Sequence, residues 1–151
     1  MRLLRFENGG REAVGVRLGD QVVPVAALGG FSDDPVALIA GGVETRARLL
    51  AAAAAAPASA RIPLAGLKLL MPIARPGKLV CIGLNYALHA KEGGNPIPDY
   101  PAVFLRVQSS LIGPNQPMLR PGCSDKFDYE AELAIIIGAR ARCVSEADAL
   151  K

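Results

Sequence analysis

Short apolar runs punctuated by glycine open the chain. Residues 2–6, 13–18 and 21–25 carry valine, leucine and phenylalanine at strand-like spacing. Asn8-Gly9-Gly10 and Gly19-Asp20 separate these runs, and a glycine-bearing connection of about two residues is a hairpin signal. The pattern then changes period. Asp34-Pro35 predicts a helix start, with Asp as N-cap and Pro at the first helical position. Gly41-Gly42 should interrupt that helix, and a second should run over 43–56, with Glu44 and Arg48 one turn apart. Its alanine content favours helix but says little about packing. This opening region reads as a structural or dimer-supporting module.

Pro57, Pro63, Pro72 and Pro76 mark a connector that contains one short strand, 67–71. We place a domain boundary near residue 70, giving a small N-terminal α+β domain over 1–70 and a second domain over 71–151. In the second, 78–83 predicts a buried strand, with Cys81 a core residue. Residues 85–92 predict a helical segment, 93–98 a Gly/Pro loop able to act as a hinge, and 102–106 another strand. Ser109 and Ser110 begin a loop and read as turn-forming hydroxyls. The run 128–138 predicts a strand, and Ser145 with Asp148 predicts the opening of a helix. The expected fold class is α+β, mostly β, with no internal repeat.

Two pairs of residues bear chemistry. On a strand, Glu130 and Glu132 share one face, where like charges repel and burial is costly without compensation. A divalent cation would compensate; an exposed strand end with two solvated acids is the alternative, and these two residues do not choose between them. His89, the one histidine of the chain, and Glu92 lie three apart and would share a helix face. A carboxylate beside an imidazole fixes its tautomer and makes a general base for water; the alternative is a surface histidine with an incidental acid.

Composition narrows the classes. The hydrophobic share of 51% suits a packed core and excludes a disordered chain. A net charge of +3, from 17 basic and 14 acidic residues scattered without a basic run, gives no case for nucleic acid. Cys81, Cys123 and Cys143 have no metal-ligand spacing and, being odd in number, no disulfide framework. The first residues lack the apolar core of a signal peptide, and no stretch reaches membrane-spanning length. A cytoplasmic enzyme without membrane or nucleic-acid partners is the expectation.

Taken together, the motifs resemble a known family. Gly83-Leu84-Asn85-Tyr86-x-x-His89-x-x-Glu92, then Tyr100-Pro101-x-x-Phe104-Leu105-Arg106, then Asp128-Tyr129-Glu130-x-Glu132-Leu133 with an Ile-rich run and Gly138, are similar to the fumarylacetoacetate hydrolase family. The resemblance covers about 71–151, and similar small N-terminal domains precede the catalytic domain in many members. It implies a mixed β-sheet/β-roll catalytic domain. It implies Mg²⁺ or Mn²⁺ held by Glu130, Glu132 and an aspartate roughly thirty residues further on, with His89 and Glu92 activating water from a lid. Arg106 stands where many members have lysine, and Val107 where many have proline. Arginine keeps a carboxylate-binding charge in a planar fork, so Arg106 is the substrate-binding candidate.

The implied activity is hydrolysis of a carbon–carbon bond in a 2-oxo acid or 1,3-dicarbonyl substrate of acylpyruvate type, as in aromatic catabolism, by a homodimer. Other members decarboxylate, isomerise or hydrate related acids. Lys151 lies 19 residues past Glu132, short of the third ligand. The expectation is therefore a truncated chain, inactive alone; the rival is a catalytically silent or structural subunit.

Overall fold

The computed structural model describes residues 1–150; Lys151, the last residue of the expected second domain, lies outside them. The first half is built on hairpins. Strands β1 (Arg2–Asn8) and β2 (Arg11–Leu18) pair antiparallel from Arg2↔Arg17 to Asn8↔Arg11. Gly9 and Gly10 close the pair with φ of +58° and +76°, the left-handed backbone that such a tight turn needs. β3 (Gln21–Pro24) returns along β2 through Gly19-Asp20. Two short strands, β4 (Ile62–Pro63) and β5 (Leu69–Leu70), add to the edges, giving the order β4-β3-β2-β1-β5.

Helix α1 (Pro35–Ala40) begins as expected. The Asp34 carboxylate accepts from the Val36 and Ala37 amides at 3.0 and 3.3 Å, with Pro35 at the first position. Gly41 separates it from α2 (Gly42–Ala55), which Gly42 opens at φ +67°. The anticipated Glu44–Arg48 ion pair is absent; the Arg48 guanidinium instead lies over the Phe31 ring, 5.6 Å from its centroid. A planar cation gains more on an aromatic face than in a solvated i,i+4 pair.

The helices cover one sheet face. Val14, Val16, Val23, Val25, Leu38, Leu49, Ala53 and Ala56 form the core, and Phe6 and Val22 are fully buried. Arg5 is buried on the sheet and compensated, as a buried cation must be: it pairs with Glu12 and donates to the Met71 carbonyl at 2.7 Å. At the β5 edge Lys68 donates to Glu7 at 2.8 Å, which holds its ammonium above the usual lysine value.

The second sheet has two strands. β6 (Leu79–Gly83) and β7 (Ala102–Arg106) pair antiparallel from Leu79↔Arg106 to Gly83↔Ala102. Between them lies α3 (Ala87–Glu92). Three expectations need correction here. The 78–83 run does not form a buried strand: Val80 is exposed and Cys81 half-buried, because β6 has one hydrogen-bonded neighbour and no covering layer. Residues 128–138 form no strand, because no described segment pairs with them. Ser145 holds the expected N-cap position, but of a single 3₁₀ turn, Glu146–Asp148, and its hydroxyl donates to the Asp148 carboxylate at 2.6 Å instead of accepting from an amide. Among the described residues no helix is long and apolar enough to cross a membrane.

Candidate active site

The strand-to-helix turn after β6 sets the site. Leu84 takes φ +53°, a left-handed value uncommon for a branched apolar residue, and redirects the chain within a few residues. Tyr86 follows in extended conformation as the N-cap residue of α3. The helix is short and closed at its end: the Gly93 amide donates to the His89 carbonyl at 3.1 Å, and the Asn95 amide to the Ala90 carbonyl at 2.8 Å. Ala90 is fully buried, which fixes the inward face of this turn.

Two contacts join this segment to the acidic run far along the chain. The Leu133 amide donates to the Tyr86 phenol oxygen at 2.8 Å, across 47 residues of sequence. His89 Nε2 lies 3.1 Å from Glu130 Oε1. Both side chains are about half exposed, 46% and 58%, so the pair is screened by water and orients more than it stabilises. The partners run in opposite senses: 86 meets 133, and 89 meets 130.

The other site residues are placed less closely. Glu92 is one turn from His89 on α3, yet no ion pair or hydrogen bond joins them; the imidazole is turned to Glu130. Glu132 and Arg106 are exposed, and neither side chain has an ion pair or hydrogen bond among the described residues. Arg106 ends β7 opposite Leu79. Tyr86 stands within the motif, yet the sequence assigns it no role. Its signal was weak, a phenol placed before a helix, because its partner is a backbone amide that no side-chain pattern reveals.

A divalent cation fits these residues in kind and not in number. Glu130 and Glu132 supply the oxygen donors that hard cations take, but among the described residues no three His, Cys, Asp or Glu side chains converge. Two carboxylates leave most of a six-coordinate shell to other donors.

Residues 78–151 match the family described as fumarylacetoacetate (FAA) hydrolase C-terminal. This segment of the chain belongs to the fumarylacetoacetate hydrolase family. A fumarylacetoacetate hydrolase domain-containing protein 2 homolog of Dictyostelium discoideum is 47% identical over 91 residues, covering 60% of this chain and 30% of that protein. The mitochondrial oxaloacetate tautomerase fahd2 of Xenopus laevis is 42% identical over 84 residues, covering 56% of this chain and 26% of that protein. Among solved structures, the maleylpyruvate hydrolase of Sphingobium sp. SYK-6, in complex with manganese(II) and pyruvate, superposes with a TM-score of 0.59 at 30% identity. That match covers 81% of this chain and 43% of the other. The chain thus spans less than a third of the two relatives and less than half of the solved enzyme.

Proposed function

We propose that this chain is part of a metal-dependent hydrolase that cleaves a carbon–carbon bond in a 2-oxo acid or 1,3-dicarbonyl substrate of acylpyruvate type. The observation that carries the reading is the approach of His89 to Glu130, which puts an imidazole beside the first glutamate of the Glu-x-Glu pair. In the neutral ring, Nε2–H donating to Glu130 Oε1 leaves the lone pair on Nδ1. Nδ1 is then the atom that takes the proton of the attacking water, and the hydroxide adds to the substrate carbonyl. Once Nδ1 has taken that proton, Glu92, on the same helix, offers a carboxylate to the charged imidazolium. Arg106 offers its fork to the substrate carboxylate. Glu130 and Glu132 are two of the ligands of a Mg²⁺ or Mn²⁺ ion, which when bound supplies carbonyl polarisation and charge stabilisation for the leaving enolate. The proposed setting is a cytoplasmic homodimer without nucleic-acid or membrane partners.

Titration calorimetry with Mn²⁺ on the intact protein and on Glu130→Ala tests the assignment. We expect the variant to lose roughly tenfold or more in affinity, as removal of a direct ligand should; equal affinities would remove Glu130 from the site. A second reading, keto–enol isomerisation of a 2-oxo acid, is favoured by the tautomerase-named relative at 42% identity. The two separate in one assay. Hydrolysis releases a 2-oxo acid product from an acylpyruvate, whereas isomerisation consumes the enol absorbance of oxaloacetate without cleaving it.

A further inference from the structure

We propose that Arg5 is a positioning residue: through the connector that follows β5, it ties the N-terminal sheet to the strand that carries Arg106. Arg5 lies within β1, opposite Val14 of β2 and Leu70 of β5, and is only 7% exposed. Burying a guanidinium is costly unless its donors are met, and an apolar side chain would fill the same space more cheaply. Here the fork is met at two points. Nη1 donates to the Met71 carbonyl at 2.7 Å, across 66 residues of sequence, and Nη2 pairs with Glu12. Glu12 stands directly opposite Glu7, a repulsive cross-strand pair on one face. Lys68 takes Glu7 at 2.8 Å, and Arg5 takes Glu12. Lys68 and Met71 flank β5, so one charge cluster holds both ends of that strand.

Beyond Met71 the chain is fixed twice more. Gln108 Nε2 donates to the Ala74 carbonyl at 3.2 Å. Leu79 then opens β6 and pairs with Arg106, the last residue of β7. Arg106 thus sits between two attachments to the 71–79 segment, at Leu79 and at Gln108, and Arg5 anchors that segment at its start. The chain after Gln108 also returns to the same edge: a Cβ on Gly113 would lie 3.1 Å from the Leu69 carbonyl oxygen. A planar fork directs the carbonyl it binds, where an apolar side chain only fills space. Arg5 therefore sets the path of the connector, and the connector sets where β7 presents Arg106 to the substrate carboxylate.

The substrate-binding part of this inference rests on the proposed hydrolase reading; the anchoring does not. The test uses Arg5→Met, Arg5→Lys and Gln108→Ala in the intact protein. Arg17→Met is the control, since Arg17 is bonded to Gly19 and Asp20 in the β2–β3 turn. Hydrogen-exchange mass spectrometry follows residues 69–78 and 102–108. Arg5→Met should quicken exchange in both by roughly threefold or more, and Gln108→Ala should do so over 102–108. With acylpyruvate and Mn²⁺, each should raise KM by roughly 3- to 10-fold with kcat little changed, because a carboxylate contact serves ground and transition states alike. Combined, they should raise KM no further than the larger single effect, as links in one chain do. Arg5→Lys, which keeps a cation able to donate to the Met71 carbonyl, should recover most of the lost KM. The control should move none of these. Unchanged exchange over 102–108 in Arg5→Met overturns the anchoring. Additive effects on KM, or a fall in kcat at constant KM, overturn the positioning of Arg106. If Arg5→Met does not fold, Gln108→Ala decides, and unchanged exchange and KM in it overturn the proposal. If the wild-type protein turns over no acylpyruvate while Arg5→Met still quickens 102–108, the hydrolase reading falls and the anchoring stands.

Discussion

At the scale of single residues, the site turns on which group His89 faces. An i,i+3 carboxylate was the partner that helical spacing predicts, but the imidazole meets Glu130 instead. The reason is physical: α3 is a single closed turn and a half, and the space beside its end is occupied by the 128–138 segment. Sequence pattern identified both His89 and Glu130 because each belongs to a spaced motif, whereas their contact depends on a tertiary approach that spacing cannot encode. The same limit hid Tyr86. We expect His89→Ala in the intact protein to lower kcat by roughly a hundredfold or more, the usual cost of losing a general base, with Mn²⁺ affinity unchanged. Steady-state kinetics beside calorimetry decides this. Lost Mn²⁺ binding in His89→Ala would make His89 a ligand and not a base.

At the scale of elements, hairpins and caps were legible and the long-range strand was not. β1, β2 and β3 are joined by two-residue turns whose glycines announce them, and Asp34-Pro35 announces α1. These are local decisions. Residues 128–138 have the composition of a strand, but a strand exists only when another pairs with it, and propensity without a partner leaves extended chain. Gly15 shows a packing demand equally invisible to pattern. A Cβ there would press against the Val22 side chain and lie 2.9 Å from Phe6 and 3.2 Å from the Val23 carbonyl oxygen. Phe6 and Val22 are fully buried and Val23 is backbone-locked in β3, so none can step aside freely. We expect Gly15→Ala to destabilise the protein by about 1–3 kcal/mol, the range for overpacking a full core, despite alanine's better intrinsic conformational preference. Urea denaturation measures it; a neutral or stabilising result would mean the sheet face is looser than drawn.

At the scale of the whole molecule, burial is lopsided. The core lies within the first sheet and its helices, while β7 is exposed along its length and Leu133, Ile135, Ile136 and Ile137 lie on the surface. A catalytic centre needs the reverse, since positioning and electrostatics gain from enclosure that excludes water. His89, Glu130, Glu132 and Arg106 all face solvent, and among the described residues no third acid or histidine joins a pair of them. A cation held by two exposed carboxylates would keep most of its water and let a chelated substrate adopt many orientations. We therefore expect the polypeptide of residues 1–151, purified alone, to show no acylpyruvate hydrolysis with saturating Mg²⁺ or Mn²⁺. The comparison is with the Glu130→Ala, Glu132→Ala double variant of the same polypeptide, whose rate sets the background. Turnover clearly above that background would mean that a second copy of the chain supplies the missing ligand and pocket wall.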